Sequence, residues 1–184
     1  MFHARTTLPE TTSIYTERLV LRPLAASDFG DLVAEVNDFA VTRMLAKVPY
    51  PYGRREAEAF LAHVARTRNE LALMIARGGK VIGGIGASSL DGRAEFGYWL
   101  GRAHWGKGYA TEAARAFLSF VFDLLGLPEL HSGVFIDNPA SLRVQEKLGF
   151  RQVGRRLVPC LARGESVEHI DTLLTRAEFE RVRQ

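Results

Sequence analysis

Hydrophobic positions change their spacing along the chain, and the change separates predicted helices from predicted strands. The longest helical stripe covers residues 110–125, where apolar side chains recur at every third or fourth position. Gly126 stands where a helix-terminating glycine belongs, and Pro128 prevents continuation. Similar but shorter stripes predict five more helices, at about residues 28–36, 38–45, 54–68, 139–148 and 177–183.

Apolar runs that alternate or continue without interruption predict strands between these helices. Three such runs cover residues 71–76, 81–90 and 95–100, and the hairpin signals Gly78-Gly79 and Asp91-Gly92 separate them. The middle of the chain is therefore predicted to be an antiparallel meander. Further strands are predicted at residues 14–22, 130–136, 150–157 and 167–175. Helices and strands interleaved in this way favour an α/β fold with a mixed sheet.

Length and composition suit one globular domain. The chain has 184 residues, 47% hydrophobic and 24% charged, and no linker or repeat divides it. We expect a single domain over residues 14–184, preceded by a short disordered or extended lead-in over residues 1–13. No run of 18 apolar residues and no secretory leader is present, so a cytoplasmic protein without a membrane partner is expected.

Charge and cysteine content argue against several other classes. The formal net charge is +3, and basic residues are not interleaved with aromatic ones, so no nucleic-acid partner is expected. The arginines between Arg151 and Arg163 predict a solvated strand edge, with a patch for an anionic partner as the alternative. Cys160 is the single cysteine and the five histidines are scattered, so neither a disulfide nor a metal site is expected.

The segment over residues 101–113 carries the clearest chemical signal. A predicted strand leads into a glycine-bearing loop, and the loop leads into the long helix. Gly106 and Gly108 have no Cβ, so backbone N–H groups there can approach an anion closely. The start of the helix adds unpaired N–H donors and a partial positive charge. A polyanion such as a diphosphate is the expected ligand; the alternative is a plain turn whose glycines serve geometry alone.

One nucleotide-binding motif matches this loop incompletely. Residues 101–107 fit seven positions of the P-loop pattern G-x-x-x-x-G-K-[ST]. The eighth position is Gly108, which lacks the hydroxyl that should hold Mg²⁺. The predicted antiparallel meander before the loop also differs from the parallel units of such enzymes. A P-loop NTPase is therefore a remote alternative.

The same loop resembles the acetyl-CoA signature of the GNAT acetyltransferase superfamily, [QR]-x-x-G-x-[GA]. Gly108 and Ala110 fill its small-residue positions, and Trp105 replaces Gln or Arg, as in the branch that resembles RimJ/RimL N-terminal acetyltransferases. Four other segments resemble that branch in the same order, at residues 16–23, 96–100, 138–141 and 146–150. The resemblance implies a GNAT acyl-CoA N-acyltransferase fold. In that fold helices flank a mixed central sheet, which splays between its fourth and fifth strands to bind acetyl-CoA.

The resemblance also implies a reaction and a set of binding residues. Acetyl-CoA would donate its acetyl group to a primary amine by direct attack, without a metal. Asn138 would contact the pantetheine arm, and Arg143 is a possible contact for the adenosine phosphate. Trp105 either walls the pantetheine or the acceptor tunnel, or anchors the loop. The strand backbone would hold the pantetheine, and the loop would hold the diphosphate, through Tyr98, Trp99, Leu100, Gly106, Lys107, Gly108, Tyr109, Ala110 and Thr111.

The proton-transfer groups are less constrained by the resemblance. Many GNAT enzymes carry a tyrosine seven residues after the motif asparagine, where this chain has Gln145. The RimJ/RimL-like branch instead offers Ser141, whose hydroxyl would donate to the leaving sulfur or, alternatively, serve the helix start. Glu95 is the candidate general base, or else an exposed partner for an arginine such as Arg93 or Arg102.

Several other polar residues remain in competition. The rival carboxylates to Glu95 are Glu165, Glu168 and Asp171. His169 could titrate near neutral pH but is interpreted first as structural, as is Cys160. His104, beside the loop, is interpreted first as a polar turn residue.

The acceptor and the assembly stay open at this stage. The expected acceptor is a protein N-terminal α-amine, such as that of a ribosomal protein, or a small-molecule amine. A non-catalytic acetyl-CoA-binding module is the alternative, since the usual tyrosine is absent and the base is unassigned. A homodimer is compatible with the resemblance.

Overall fold

Helices cover both faces of a single mixed sheet in the computed structural model, which describes residues 12–183. Apart from Thr12 and Ser13, the predicted lead-in over residues 1–13 lies outside the described residues. The strands are β1 (Ile14–Tyr15), β2 (Val20–Arg22), β3 (Leu71–Arg77), β4 (Lys80–Ser88), β5 (Glu95–Leu100), β6 (Glu129–Phe135), β7 (Arg151–Cys160) and β8 (Glu165–Thr175). The helices are α1 (Phe29–Val36), α2 (Phe39–Thr42), α3 (Arg54–Arg66), α4 (Tyr109–Leu125), α5 (Pro139–Lys147) and α6 (Arg176–Val182).

The sheet opens between its two central strands. Within residues 12–183 the strand order is β1-β2-β3-β4-β5-β6-β8-β7, and every neighbouring pair is antiparallel except β5 and β6. Those two parallel strands share one register pair, Glu95 with His131, and diverge beyond it. β5 and β6 correspond to the fourth and fifth strands of the sequence prediction, so the sheet splays where expected. The divergence leaves a cleft bordered by the backbone of β5. The mixed α/β fold with a splayed sheet is confirmed.

Most predicted elements lie within a few residues of their observed bounds, but the strand predicted over residues 14–22 is wrong. That segment is a pair of short strands, because Thr16 stops the extended chain. The Leu19 N–H donates to the Thr16 hydroxyl at 2.9 Å, and the Thr16 N–H donates to the Leu19 carbonyl at 3.0 Å. These local bonds satisfy backbone groups that a continuous strand would have paired with a neighbour.

Apolar residues cover each face of the sheet with a separate cluster. On one face α4 buries Phe117, Leu118 and Val121 against the strands, with no exposed surface on any of the three. On the other face α1 and α3 pack residues such as Leu32 and Val36 against β3 and β4. Packed helices therefore cover both faces of the sheet outside the cleft. None of the helices within residues 12–183 is long and apolar enough to span a membrane.

Candidate active site

A cavity of about 920 Å³ occupies the cleft between β5 and β6. It is lined from one side by the loop after β5 and by the starts of α4 and α5, and from the other by β8 and the segment after α2. All of the predicted site residues line it except Lys107. The Lys107 ammonium group instead donates to the Ala103 carbonyl at 2.8 Å, within its own loop. The residues that the sequence analysis assigned to one site thus lie around one cavity in the fold, apart from Lys107.

The glycine loop forms one end of the cavity. Gly106 and Gly108 have φ values of +72° and +80°, a left-handed conformation that other residues adopt only with strain. Gly108 caps the N-terminus of α4, a helix of 17 residues, so backbone N–H groups at the helix start face the loop. Arg18 fixes the loop from outside by donating to the Lys107 carbonyl at 3.1 Å and by pairing with Glu112 of α4 at 2.6 Å. This arrangement suits the diphosphate of a nucleotide-like ligand.

Trp105 connects the loop to the end of β5. Its indole N–H donates to the Leu100 carbonyl at 2.8 Å, so the side chain holds the loop against the strand. The ring also lines the cavity and remains 45% exposed. The two roles considered for this residue, anchor and wall, are thus compatible in one conformation.

The backbone of β5 presents alternate residues to the cleft. The Gly101 N–H donates to Ile82 of β4, so the residues of β5 with odd numbers bond to β4 and those with even numbers face β6. The Phe96 carbonyl accepts from the Ser132 hydroxyl at 2.8 Å, in agreement with this alternation. The N–H and carbonyl groups of Tyr98 therefore point into the cleft, where an extended ligand such as a pantetheine arm can pair with them.

The Ser141 hydroxyl lies in the first turn of α5, on the same side of the sheet as the Tyr98 side chain. The two hydroxyl oxygens are 2.8 Å apart. The Ser141 hydroxyl does not cap α5, because Asn138 does so by accepting from the Ser141 N–H at 3.1 Å. Burial raises the pKa of Tyr98 to about 12, so Tyr98 keeps its proton and can donate it to Ser141.

Gln145, at the position of the usual family tyrosine, is 2% exposed and bonded on every side. Its amide group donates to the Ser132 hydroxyl at 2.9 Å, and its carbonyl accepts from the Thr172 hydroxyl at 2.7 Å. Ser132 continues the chain of hydrogen bonds to the Phe96 carbonyl. Gln145 therefore ties α5, β6 and β8 to β5 beside the cleft, and its side chain is committed to structure.

The opposite face of the sheet carries the candidate bases. Glu95 stands at the exposed start of β5 and lines the cavity. Within residues 12–183 it forms no ion pair; Arg93, one of its expected partners, contacts His131 at 3.3 Å instead. His169 of β8 also lines the cavity, and its Nδ1 is 2.8 Å from the Asp171 carboxylate.

The other competing polar residues are held in contacts of their own. Glu168 accepts from Arg155 at 3.0 Å across the β7–β8 hairpin, as expected for a solvated strand edge. His104 lies 3.3 Å from Glu35 of α1, which fixes the short helical turn before Trp105. Cys160 is buried, with its thiol 3.6 Å from the Arg43 carbonyl, in a structural position.

Two arginines and one carboxylate clamp the wall of the cavity. Asp137, just after β6, accepts from Arg43 beyond α2 at 2.6 Å and from Arg163 at the tip of the β7–β8 hairpin at 2.9 Å. The hydrogen bonds from Arg163 hold the pKa of Asp137 below its usual range. Met44, next to Arg43, lines the cavity. The segment after α2 is thus fixed to the hairpin tip across the cavity rim.

Two functional features escaped the sequence analysis. The Tyr98 hydroxyl was not predicted to reach Ser141, although strand alternation places its side chain opposite that of Glu95. The role of Arg18 at the glycine loop was also not predicted, because 89 residues separate it from Lys107. Strand alternation offered a signal for Tyr98; nothing in the local pattern offered one for Arg18.

Comparison with solved structures places this fold among acetyltransferases. The spermidine N-acetyltransferase of Vibrio cholerae, solved with CoA and spermine, superimposes with a TM-score of 0.77 at 20% identity and covers 90% of this chain and 99% of its own. RimJ of Mycobacterium smegmatis, solved with CoA-disulfide, gives 0.75 at 20% identity, with 87% and 83% covered. At these identities the likeness concerns the fold.

Sequence comparison supplies the family. The protein named uncharacterized N-acetyltransferase p20, from Bacillus licheniformis, is 30% identical over 149 residues, which are 77% of this chain and 84% of that protein. The family model described as acetyltransferase (GNAT) domain matches residues 18–151. The chain therefore belongs to the GNAT acetyltransferase family and is an N-acetyltransferase.

Proposed function

We propose that this protein transfers the acetyl group of acetyl-CoA to a primary amine, with a protein N-terminal α-amine as its acceptor. The observation that carries the proposal is that one cavity holds three parts: the glycine loop at the start of α4, the open backbone edge of β5, and the paired hydroxyls of Tyr98 and Ser141. These parts suit, in order, the diphosphate, the pantetheine and the thioester sulfur of acetyl-CoA.

Each part of the chain has a separate task in this proposal. N–H groups at the start of α4 bind phosphate oxygens, and Arg143 supplies a further positive charge at the cavity. The Tyr98 N–H polarises the acyl carbonyl. Ser141 donates a hydrogen bond to the sulfur as it leaves. Bound acetyl-CoA supplies an activated acyl group, and a base on the opposite face takes the proton of the amine.

The charges of the cavity favour a single amine over a polycation. Among the described residues, three carboxylates line it, but Glu70 is 3.0 Å from His63 and Asp137 is neutralised by Arg43 and Arg163. Glu95 is the third, so few unpaired carboxylates are left to bind several ammonium groups at once. The structure named "putative ribosomal-protein-serine acetyltransferase from Vibrio cholerae" shares the fold, and that name supports a protein acceptor. The spermidine N-acetyltransferase shares the fold, so a polyamine is the competing acceptor.

The proposal is tested by binding and transfer measured separately. Isothermal titration calorimetry with acetyl-CoA is expected to show micromolar binding, with Mg-ATP as the negative control. Transfer to a short peptide with a free N-terminus is then followed by release of the CoA thiol, beside the same peptide with an acetylated N-terminus and beside spermidine. Transfer to the free peptide alone supports the proposal. Transfer to spermidine alone would overturn the acceptor, and lack of acetyl-CoA binding by folded protein would overturn the whole proposal.

A further inference from the structure

We propose that His169, oriented by Asp171, is the base that takes the proton of the attacking amine. This inference rests on the function proposed above and assigns a role within it. His169 lies on the face of the sheet opposite α5, and its side chain is 15% exposed, at the cavity wall. Gly133 on β6 makes this position available, because a Cβ there would overlap the imidazole ring.

The hydrogen bonds around the imidazole select one of its two neutral tautomers. Nδ1 is 2.8 Å from an oxygen of Asp171, and a carboxylate can only accept, so Nδ1 carries the proton. The Arg156 Nε donates to both oxygens of the same carboxylate at 3.0 Å and keeps it in place. The second ring nitrogen, Nε2, therefore keeps its lone pair; within residues 12–183 it has no hydrogen-bond partner, and the side chain lines the cavity. Asp171 acts here as a positioning residue.

The surrounding groups leave His169 as the best-prepared base on this face. On the strands packed against β8, the register puts these titratable or charged groups on the same face: Glu129 and His131 of β6, and Arg151, Arg156 and Cys160 of β7. Arg151 pairs with Glu178 at 3.1 Å, and the buried Cys160 thiol is 3.6 Å from the Arg43 carbonyl. His131 does not line the cavity and contacts Arg93 and Glu129. Elsewhere the cavity is lined by Lys47 and by Glu95, which is exposed at the start of β5, and by Asp137, which two arginines bind. Glu70 and His104 also line it, but Glu70 is 3.0 Å from His63 and the Nε2 of His104 is 3.3 Å from Glu35. An imidazole with a free ring nitrogen can accept a proton from the amine and release it again, as general-base catalysis requires.

The proton transfer completes a balanced reaction across the cleft. The amine nitrogen forms a bond to the acyl carbon as one of its protons moves to Nε2 of His169. The bond between the acyl carbon and sulfur breaks, and its electron pair goes to sulfur, toward which Ser141 donates from the α5 side. The imidazolium proton then passes to the thiolate or to water. The net products are the N-acetyl amine and CoA with a free thiol.

The test compares His169→Gln and Asp171→Asn with the matched control His131→Gln, on the neighbouring strand outside the cavity. One readout needs no activity: ¹⁵N NMR of the histidine rings is expected to show the Nδ1–H tautomer for His169, and a shift toward Nε2–H in Asp171→Asn. The other is kcat/KM against pH with acetyl-CoA and the free peptide. A loss of about 10²- to 10⁴-fold is expected in His169→Gln, together with loss of the ascending acid limb.

The outcomes separate this inference from the proposed function. Unchanged acetyl-CoA affinity in all three variants, measured by calorimetry, shows that they are folded. Retention of the wild-type pH profile by His169→Gln would overturn the role of His169 while leaving the function intact. An Nε2–H tautomer that Asp171→Asn does not alter would overturn the role of Asp171. Absence of transfer by the unaltered protein to either amine would overturn the proposed function, and this inference with it.

Discussion

The hydroxyl groups of Tyr98 and Ser141 are 2.8 Å apart, although the two residues are 43 positions apart in the chain. Tyr98 retains its proton because burial raises its pKa to about 12. When it donates to Ser141, the hydrogen of Ser141 is free to point into the cavity. The tyrosine of this pair comes from β5, whereas the usual family tyrosine position on α5 holds Gln145, which is committed to structure.

Replacing Ser141 with Ala tests whether its hydroxyl assists the leaving sulfur. We expect kcat to fall by about 10- to 1,000-fold, the scale for loss of a proton donor or a stabilising hydrogen bond. Affinity for acetyl-CoA should change little, because the hydroxyl contributes mainly after the acyl group begins to move. Steady-state kinetics with calorimetry checks both. Ser166→Ala, on the exposed part of β8, is the control. An unaltered kcat, where chemistry limits the rate, would exclude the role.

Replacing Tyr98 with Phe keeps the buried ring and removes the hydroxyl. If Tyr98 acts only by orienting the Ser141 hydroxyl, which lies 2.8 Å from its own, the fall in kcat should be smaller, about fivefold, the equivalent of one ordinary hydrogen bond. In a Ser141→Ala background the same change should have almost no further effect, since the group it orients is gone. Additive losses in the double variant would contradict the pairing.

Tyr98 also makes stability depend on alkaline pH. Its folded-state pKa of about 12 lies above the ordinary value near 10, so the unfolded chain loses this proton first. The contribution of Tyr98 to the free energy of unfolding is therefore expected to be fully present below pH 10. The free energy of unfolding should then decrease as pH rises from 10 to 12. Urea unfolding at several pH values measures the slope, which should be shallower in Tyr98→Phe. Tyr15→Phe, at a 75% exposed position, is the control for removal of a tyrosine hydroxyl.

The glycine loop can be tested by comparing two glycines of similar geometry. Gly106 and Gly126 have φ values of +72° and +61°, and a Cβ at either would meet no atom within 4 Å. Each change to Ala should therefore cost about 1 kcal/mol of stability through backbone strain alone. Only Gly106→Ala is expected to weaken acetyl-CoA binding, because only Gly106 lies in the loop before α4. Equal affinities in the two variants would argue against phosphate binding there.

The ion pair between Arg22 and Asp28 supports the start of α1. Its two hydrogen bonds, of 2.7 and 2.8 Å, hold the pKa of the buried Asp28 carboxyl below its usual range. At pH 7 Asp28→Asn should lower the free energy of unfolding by about 2 kcal/mol. This contribution is present above the ordinary carboxyl pKa and is lost as pH falls through the lowered value, so variant and wild type should converge in acid. Glu58→Gln, in an exposed pair with Arg54, should have little effect.

Local signals in the sequence predicted the elements that local chemistry determines. Gly126 and the Asn138-Pro139 pair mark the end of α4 and the start of α5 because each supplies a cap or a fixed backbone angle. The segment over residues 14–22 was mispredicted for the same kind of reason. Its alternating pattern indicated a strand, while the Thr16 hydroxyl, bonded to Leu19, made a turn.

In the candidate site too, residues that are adjacent in sequence could be predicted, whereas contacts between distant segments could not. The glycine loop is contiguous in sequence, so its residues could be recognised together. The pairing of His169 with Asp171 over Gly133 depends on the register of β6 against β8, which no local pattern contains. The contact of Tyr98 with Ser141 likewise depends on where α5 docks. A sequence motif can therefore locate the glycine loop of this cavity, but not which polar side chains from separate elements meet beside it.

The clamp at Asp137 has a consequence for how acceptor preference can change. One carboxylate holds Arg43 and Arg163, which come from segments 94 residues before it and 26 residues after it. A graft that exchanged only the segment after α2 with that of a relative would leave Asp137 and Arg163 without their third member. The cavity rim is thus built from three segments that have to match one another, and laboratory evolution that reshapes this rim should recover paired changes in more than one of them.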